Sequence, residues 1–447
     1  MGLYTSLVSK FLFPVHEFLK RHNSVALRRQ MEEVQWWSAD HIAALQLQRL
    51  RELLQDVAIN VPYYRDLFAQ LDFDVASVQS IADLQRLPFL TKTDIRANTD
   101  QLRHMQAKGL TRFNTGGSSG EPLIFFIGNK RVSHDVAAKW RATRWWGVDI
   151  GDPEIVVWGS PIELGKQDRL KHWRDKMLRT QLLPAFEMSE SKLDQFIATI
   201  RSVKPRMLFG YPSALTHIAV HAQKRGVTMT DLGIKVAFVT SERLYDEQRS
   251  TISQVFDCKV ANGYGGRDAG FIAHECPAGN MHLTADDIVV EIVNDAGQVQ
   301  PPGVAGEIVV THLSTSDFPF IRYRTGDIGV LGATPCGCGR GLPLLQDIQG
   351  RSTDFVVAAD GTVMHGLSLI YILRDLVGVQ SFKVVQETRA LTRVLLVVDY
   401  SFAPDAVTHI ISGFKQRLGS EVSVVVDLVD NIPAEKSGKF RYIISHA

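Results

Sequence analysis

The chain has 447 residues, 45% of them hydrophobic and 22% charged, so it is too long for one ordinary core and too apolar to be disordered. Its formal net charge of +1 provides no overall field for nucleic acid, and we expect no nucleic-acid partner. Four cysteines are too few for a disulfide framework and favour the reducing cytoplasm.

The N-terminal segment, residues 1–22, contains a short apolar run at positions 11–15 between Lys10 and His16. The run is too short to cross a bilayer and lacks the features of a signal peptide, so we expect no transmembrane segment. Two alternatives stay open for it. We expect it to pack against the body, and peripheral contact with a membrane is the other interpretation.

Helices are predicted through the first hundred residues, which we interpret as a helical lead-in. Ser38 suits the N-cap of a helix with an apolar stripe, and this helix should end before Val61-Pro62. Residues 113–123 then combine glycines with hydroxyl side chains, which allows close approach of the backbone to an anion. The stretch lacks the lysine of the usual nucleotide loop, so a phosphate loop and a flexible hairpin turn both remain open.

Apolar runs alternate with amphipathic stretches between residues 154 and 240, which predicts an α/β layer with parallel strands. Buried strands are expected at 154–158, 207–209 and 236–239, and helices at 134–146 and from Leu193 onward. Ligands in such sheets bind at the carboxyl ends of the strands. The stretches at these ends are Gly210-Tyr211, Thr240-Ser241-Glu242 and Tyr264-Gly265-Gly266.

The pattern becomes β-rich at about residue 280, and a β subdomain is predicted for residues 280–349. Gly350-Arg351 then suggests a boundary, followed by a small α+β domain over residues 350–447. The large domain, residues 1–349, would therefore be a layered α/β domain that includes the β subdomain.

Three motifs carry side chains suited to a nucleotide. The turn from Tyr264 to Asp268 offers an aromatic ring, a cation and a carboxylate, which suit a base, a phosphate and Mg²⁺; an ordinary turn is the alternative. Asp327, after Gly326, can bind ribose hydroxyls or cap a turn. Lys439 follows Gly438 near the C-terminus, where a solvent-facing lysine would be equally ordinary.

Together these stretches resemble the adenylate-forming superfamily of acyl-CoA synthetases, especially its phenylacetate-CoA ligase and CapK branch. The resemblance covers nearly the whole chain and rests on six motifs in the family's order. It implies a large domain with a mobile C-terminal lid. It also implies that ATP and a small carboxylic acid react to acyl-AMP and pyrophosphate, and that the acyl group then passes to an acceptor.

The acceptor implied by the resemblance is CoA, with an amine or glycan, or a carrier-protein thiol, as the alternative. A nucleotide-binding protein without turnover is an alternative of another class. Neither a monomer nor a homodimer is excluded. On this resemblance the lid would turn about Gly350-Arg351 and bring Lys439 to the α-phosphate.

The resemblance also implies site residues. Catalytic roles would fall to Lys439, Asp268 and Arg351, with Asp268 also binding Mg²⁺. The nucleotide would be bound by Thr115, Gly116, Gly117, Ser118, Ser119, Gly120, Ser241, Glu242, Tyr264, Gly265, Gly266, Arg267, Asp327 and Arg351. The substrate pocket would be lined by Trp158, Gly159, Phe209, Gly210, Tyr211 and Pro212.

Three positions depart from the family's pattern. Glu121 stands in place of a lysine, Asp268 in place of a glutamate, and Thr353 in place of an aspartate or lysine at the hinge. We expect altered detail rather than loss of activity. The cations expected to offset Glu121 are Arg141, Arg144 and Lys130.

A second site is predicted from the cysteines. Cys276 and His282 form a C-x5-H pair, and Cys336 and Cys338 lie on a glycine turn. Three thiolates and one imidazole suit a structural, tetrahedral zinc site, with reduced thiols as the alternative. His274 is a rival fourth ligand, although the resemblance favours His282.

Overall fold

The computed structural model describes residues 2–114, 123–158, 169–185, 188–349, 355–374, 376–403, 405–432 and 443–447. Helices form most of its first hundred residues. They are α1 (Leu3–Leu7), α2 (Phe13–Leu19), α3 (Ser24–Val34), α4 (Ala39–Asn60), α5 (Pro62–Gln70) and α6 (Lys92–Ala97), with a π-helical turn at Val8–Leu12 and 3-10 turns at Val75–Ser77 and Ile81–Arg86.

The predicted N-cap of α4 is confirmed. The Ser38 hydroxyl accepts a hydrogen bond from the backbone N–H of His41, and the helix ends at Asn60, ahead of Val61-Pro62. Apolar residues of α4, among them Leu50 and Leu54, pack in one buried cluster with strand residues from the C-terminal part of the sheet. The helices of the first hundred residues therefore share their core with that sheet.

Eleven of the described strands form one continuous mixed sheet, in the order β10-β11-β12-β13-β9-β8-β7-β6-β5-β3-β4. Its strands are β3 (Glu154–Trp158), β4 (Thr180–Pro184), β5 (Met207–Gly210), β6 (Val236–Thr240), β7 (Lys259–Gly266), β8 (Gly270–Glu275), β9 (Met281–Leu283), β10 (Ile288–Val293), β11 (Ala305–His312), β12 (Tyr323–Leu331) and β13 (Leu344–Gln349). A separate hairpin consists of β1 (Thr111–Asn114) and β2 (Ile124–Ile127).

The sheet has a parallel half and an antiparallel half. Strands β4, β3, β5, β6 and β7 pair in parallel, as the alternating pattern predicts. From β7 onward the pairings are antiparallel, and the strands predicted as a β subdomain continue the same sheet. Periodicity predicts these strands but does not identify their partners.

Helices cover both faces of the parallel half. They are α7 (Asn129–Arg144), α8 (Arg169–Leu178), α9 (Glu190–Val203), α10 (Pro212–Lys224) and α11 (Asp246–Phe256), with a 3-10 turn at Thr230–Leu232. Ile155 and Val157 of β3 pack with α9, α10 and α11, while Phe209 of β5 packs with α7. The helix predicted at 134–146 begins earlier, after Gly128.

The C-terminal residues form a second layered unit with its own apolar cluster. It contains the hairpin β14 (Phe355–Val357) and β15 (Val363–His365), helices α12 (Leu367–Arg374) and α13 (Asp405–Leu418), and strands β16 (Val379–Thr388), β17 (Leu391–Val398), β18 (Ser423–Leu428) and β19 (Ile443–Ser445). The four strands are ordered β18-β17-β16-β19. The α+β content of this region agrees with the prediction, while the domain boundary at residue 350 stays a prediction.

Candidate active site

The tight turn between β7 and β8 carries the motif from Tyr264 to Asp268. The two strands approach so closely that a Cβ on Gly265 would lie 2.1 Å from the carbonyl oxygen of Gly270. Glycine is therefore required at this position of the turn. The turn lies where the parallel half of the sheet meets the antiparallel half.

Two tyrosine–aspartate pairs join this turn to strand β12. The Tyr264 hydroxyl donates to Oδ2 of Asp327 over 2.9 Å, and the Tyr323 hydroxyl donates to Oδ2 of Asp268 over 2.7 Å. Burial raises the pKa of Tyr264, and the charge of Asp327 adds to this rise. The phenol therefore stays protonated at neutral pH, and the two carboxylates of the predicted motifs are held in one site.

The start of β12 is fixed by the residue that precedes it. Arg322 is buried and adopts a left-handed φ of 51°. Its guanidinium donates to both carboxylate oxygens of Glu291, at 3.0 and 2.9 Å, and to the carbonyl oxygen of Leu87 at 2.6 Å. The bidentate pair ties β10 to the start of β12, and the bond to Leu87 ties the N-terminal helical region to the strand that carries Tyr323 and Asp327.

A buried arginine of α7 binds the backbone of the turn between β7 and β8. Arg131 donates to the carbonyl oxygens of Arg267 and Asp268, both at 3.3 Å. Its Nε lies 3.0 Å from both carboxylate oxygens of Asp135, one helical turn later. The backbone of the turn is therefore anchored to a helix, and the Asp268 side chain is left to face β12.

Replacing Arg131 by alanine should lower the free energy of unfolding by about 3–5 kcal/mol, because Asp135 would lose its partner and the turn would lose two donors. Urea unfolding followed by circular dichroism would measure the change. The control is Lys130→Ala, since Lys130 is the neighbouring cation on the same helix and is exposed. Equal effects of the two substitutions would contradict the anchoring role.

The end of β6 carries strained backbone and a capping carboxylate. Ser241 adopts a left-handed φ of 73°, a conformation that costs energy and is concentrated at functional sites. Glu242 accepts hydrogen bonds from the hydroxyl of Ser213 and, at 3.4 Å, from its backbone N–H. Its carboxylate thus holds the N-terminus of α10, where a negative charge is favoured.

Aromatic rings gather at the ends of β3 and β5, where the substrate pocket is predicted. The ring centroids of Trp158 and Tyr211 are 4.5 Å apart in a stacked arrangement, and Phe209 lies 5.9 Å from Trp158. A Cβ on Gly210 would lie 2.4 Å from the carbonyl oxygen of Val157, so the two strands require glycine there. Pro212 begins α10 directly after these rings.

Comparisons with known proteins identify the families and relatives that this chain resembles. Residues 181–316 match the family model of the AMP-binding enzymes, and residues 356–446 match the model of the CapK C-terminal domain. Protein CapK of Staphylococcus aureus is 23% identical over 90% of this chain and 89% of its own length. A phenylacetate-coenzyme A ligase of Pseudomonas putida is 26% identical over 74% of this chain and 75% of its own length.

The chain belongs to the adenylate-forming, AMP-binding enzyme superfamily. The fold agrees, since 2-hydroxyisobutyryl-CoA ligase in complex with 2-HIB-AMP and CoA has a TM-score of 0.66 with this chain, at 22% identity, over 92% of this chain and 91% of its own. The predictions of an α/β adenylate-forming fold and of a ligase are therefore confirmed.

Several site residues predicted for this AMP-binding enzyme lie outside the described residues. They are Thr115, Gly116, Gly117, Ser118, Ser119, Gly120, Glu121, Gly159, Gly350, Arg351, Thr353 and Lys439. Their roles stay predictions. Of the cations expected to offset Glu121, Arg141 pairs with Asp286 at 2.8 Å, and Arg144 pairs with Asp149 at 2.7 Å. Both arginines are thus engaged within the body of the enzyme.

The enzyme also brings three cysteines and one histidine together. The ligand atoms of Cys276, His282, Cys336 and Cys338 all lie within 4.8 Å of one another. The sulfurs of Cys276 and Cys336 are 3.7 Å apart, and Sγ of Cys338 is 3.3 Å from Nε2 of His282. A tetrahedral zinc with Zn–S bonds of about 2.3 Å places sulfurs about 3.8 Å apart, which fits this spacing.

The orientation of the imidazole also suits a metal. Nδ1 of His282 lies 3.1 Å from the carbonyl oxygen of Leu342, an arrangement that leaves Nε2 toward the thiols. Burial lowers the pKa of His282 to about 4, so the ring is neutral at neutral pH. His274, the rival ligand, instead packs against Phe271 at 5.4 Å and Phe238 at 5.9 Å.

Two functional contacts were not predicted as such from the sequence. Tyr323 stands four positions before Asp327, yet only the structure shows that its hydroxyl binds Asp268. Arg131 lies in no motif, and its spacing to Asp135 is common on helix surfaces. Its contact with residues 267 and 268 joins positions 136 and 137 apart in the chain, which a single sequence cannot reveal.

Proposed function

We propose that this enzyme activates a small carboxylic acid with ATP, releases pyrophosphate and transfers the acyl group from the acyl-adenylate to an acceptor, which we take to be CoA. The observation that carries this proposal is a pair of hydrogen bonds that hold Asp268 and Asp327 in one site. Asp327 accepts a hydrogen bond from Tyr264, and Asp268 accepts one from Tyr323. Family membership supports the reaction class.

Each motif has a proposed role in the first half-reaction. Asp327 accepts hydrogen bonds from the ribose hydroxyls, and Asp268 binds Mg²⁺, which offsets negative charge on the phosphates. The proposed role of the Tyr264 ring is to stack on the adenine. Lys439 and Arg351 would stabilise charge that develops at the α-phosphate and the substrate carboxylate.

The proposed acid carries an aryl group. Trp158, Phe209 and Tyr211 supply flat apolar surface at the strand ends, which favours a flat substrate group over a highly hydroxylated one. The phenylacetate-coenzyme A ligases among the relatives support both an arylacetic acid and CoA. An amine or glycan acceptor is the second candidate, because the match to the CapK C-terminal domain covers the region that would meet the acceptor.

We also propose a structural zinc ion at Cys276, His282, Cys336 and Cys338. Four protein ligands leave no open position, so the ion would stabilise the fold and take no part in the reaction. Reduced thiols and a supply of ATP support a cytoplasmic location.

The test is pyrophosphate release from Mg-ATP over a panel of aryl, fatty, sugar and amino acids, with and without CoA. We expect release with aryl acids, faster when CoA is present. Release that is unchanged by CoA and accelerated by an amine would favour the second acceptor. ATP binding without pyrophosphate release for any acid would overturn the proposal and leave a nucleotide-binding protein without turnover.

A further inference from the structure

The N-terminal helical segment, residues 3–19, has apolar side chains on both of its faces. Its inner face is firmly packed: Val8 and Phe13 are buried against Trp140 and Ile150. The hydroxyl of Thr5 donates to Asp152 over 2.9 Å in a buried hydrogen bond. The contacts of the inner face therefore fix the segment on the large domain. The side chains of the opposite face are not needed to hold it there.

The opposite face points to solvent although it is apolar. Leu3 is 95% exposed, Phe18 79% and Leu19 75%. We call this surface the outer apolar face, and its members are Leu3, Leu7, Phe11, Val15, Phe18 and Leu19. A contiguous exposed apolar surface of this kind marks a binding surface. A π-helical turn at Val8–Leu12 lies in the middle of the segment.

Helix α8 lies beside this segment and carries positive charge. The Tyr4 hydroxyl donates to the carbonyl oxygen of Met177 over 2.9 Å, and the guanidinium of Arg179 lies 5.4 Å from the Tyr4 ring. Trp173 of α8 is 68% exposed, with the Lys176 ammonium 5.8 Å from its ring. An exposed tryptophan beside lysine is typical of the water–lipid boundary.

The charge around the outer apolar face is one-sided. Lys10 is exposed on the segment and Lys20 and Arg21 are exposed directly after it, whereas Glu17, the single acidic residue between positions 2 and 22, is buried. Two copies of this surface would bring these cations together, and like charges placed across an interface repel. An anionic lipid surface complements both the charge and the apolar side chains.

We propose that the outer apolar face and helix α8 dock on an anionic lipid bilayer, so that the enzyme works at a membrane surface. The segment would lie in the plane of the headgroups with its apolar side chains among the upper acyl chains. None of the described helices combines the length and the apolar character that a membrane span needs. This inference is independent of the acid and the acceptor.

The test is flotation of the full chain with phosphatidylcholine vesicles, with and without phosphatidylglycerol. We expect binding that requires phosphatidylglycerol and weakens as salt is raised. The double variant Phe11→Ser, Phe18→Ser should lose binding by about tenfold or more. The matched control is Val377→Ser, Tyr400→Ser, two apolar residues that are 74% and 103% exposed far along the chain, and it should bind like the wild type.

Three results would overturn the proposal. The first is equal binding by the two double variants, and the second is no binding of the wild type to any vesicle. The third is a wild-type dimer in analytical ultracentrifugation that Phe11→Ser, Phe18→Ser converts to a monomer, without any vesicle binding, because a second copy would then cover the face. Unchanged circular dichroism and pyrophosphate release would establish that the variants are folded.

Discussion

Replacing Cys336 by serine should release zinc from the purified protein and lower its free energy of unfolding by on the order of 5 kcal/mol. The binding energy of a structural zinc ion contributes directly to folding, and serine is a poor zinc ligand. Cys336 lies 3.7 Å from Cys276, sulfur to sulfur, so the loss of one thiolate opens the cluster. Elemental analysis and thermal unfolding would measure the two effects.

The chain provides a matched control for this substitution. Cys258 is buried and lies outside the cluster, so Cys258→Ser should keep the zinc and cost about 1 kcal/mol. Chelation of the wild-type protein should reproduce the lowered melting temperature of Cys336→Ser. If wild-type protein made in zinc-containing medium holds no stoichiometric metal, the cluster is a set of reduced thiols.

Replacing Asp327 by asparagine should lower kcat/KM for pyrophosphate release by about 100-fold or more, because two charge-assisted hydrogen bonds to the ribose hydroxyls would be weakened. Asparagine keeps the shape of the side chain and can still accept the hydrogen bond of Tyr264, so the fold should persist. Steady-state kinetics at varied ATP would separate the change in KM from the change in kcat.

Two further variants test whether the effect of Asp327→Asn is specific to the nucleotide site. Asp295→Asn, at an exposed turn between β10 and β11, is the control and should leave kcat/KM unchanged. Tyr264→Phe should cost less than Asp327→Asn, and the double variant should cost less than the sum of both because the two side chains share one hydrogen bond. A change below about twofold for Asp327→Asn would remove Asp327 from the proposed nucleotide site.

Much of the fold follows from local patterns in the sequence. The strand predicted at 154–158 has the observed bounds, and the helix predicted after Ser38 ends before Val61-Pro62 as expected, because apolar spacing and capping residues act over a few positions. Which strands pair is a different question. The strands after residue 280 extend the same sheet as β3 to β7, and periodicity contains no information about such distant partners.

The candidate site, too, could be predicted only in part from the sequence. Glycine-rich turns identify Tyr264, Asp268 and Asp327 because each lies in a short motif. The contacts of Arg131 and Arg322 could not be predicted, since an isolated arginine has many uses and its partners lie far along the chain. The resemblance already favoured His282 over His274 as the fourth ligand, and the fold agrees because it places His274 among phenylalanine rings.

Strand β9 has a consequence for biosynthesis. It is three residues long and pairs with β13 through His282 and Met281, and its neighbour Leu342 is 60 positions further along the chain. During translation, the edge of β9 that pairs with β13 therefore stays unpaired until β13 emerges from the ribosome. An unpaired strand edge is prone to form hydrogen bonds with another nascent chain. Slowing or pausing synthesis just before residue 344 should accordingly increase aggregation of this protein.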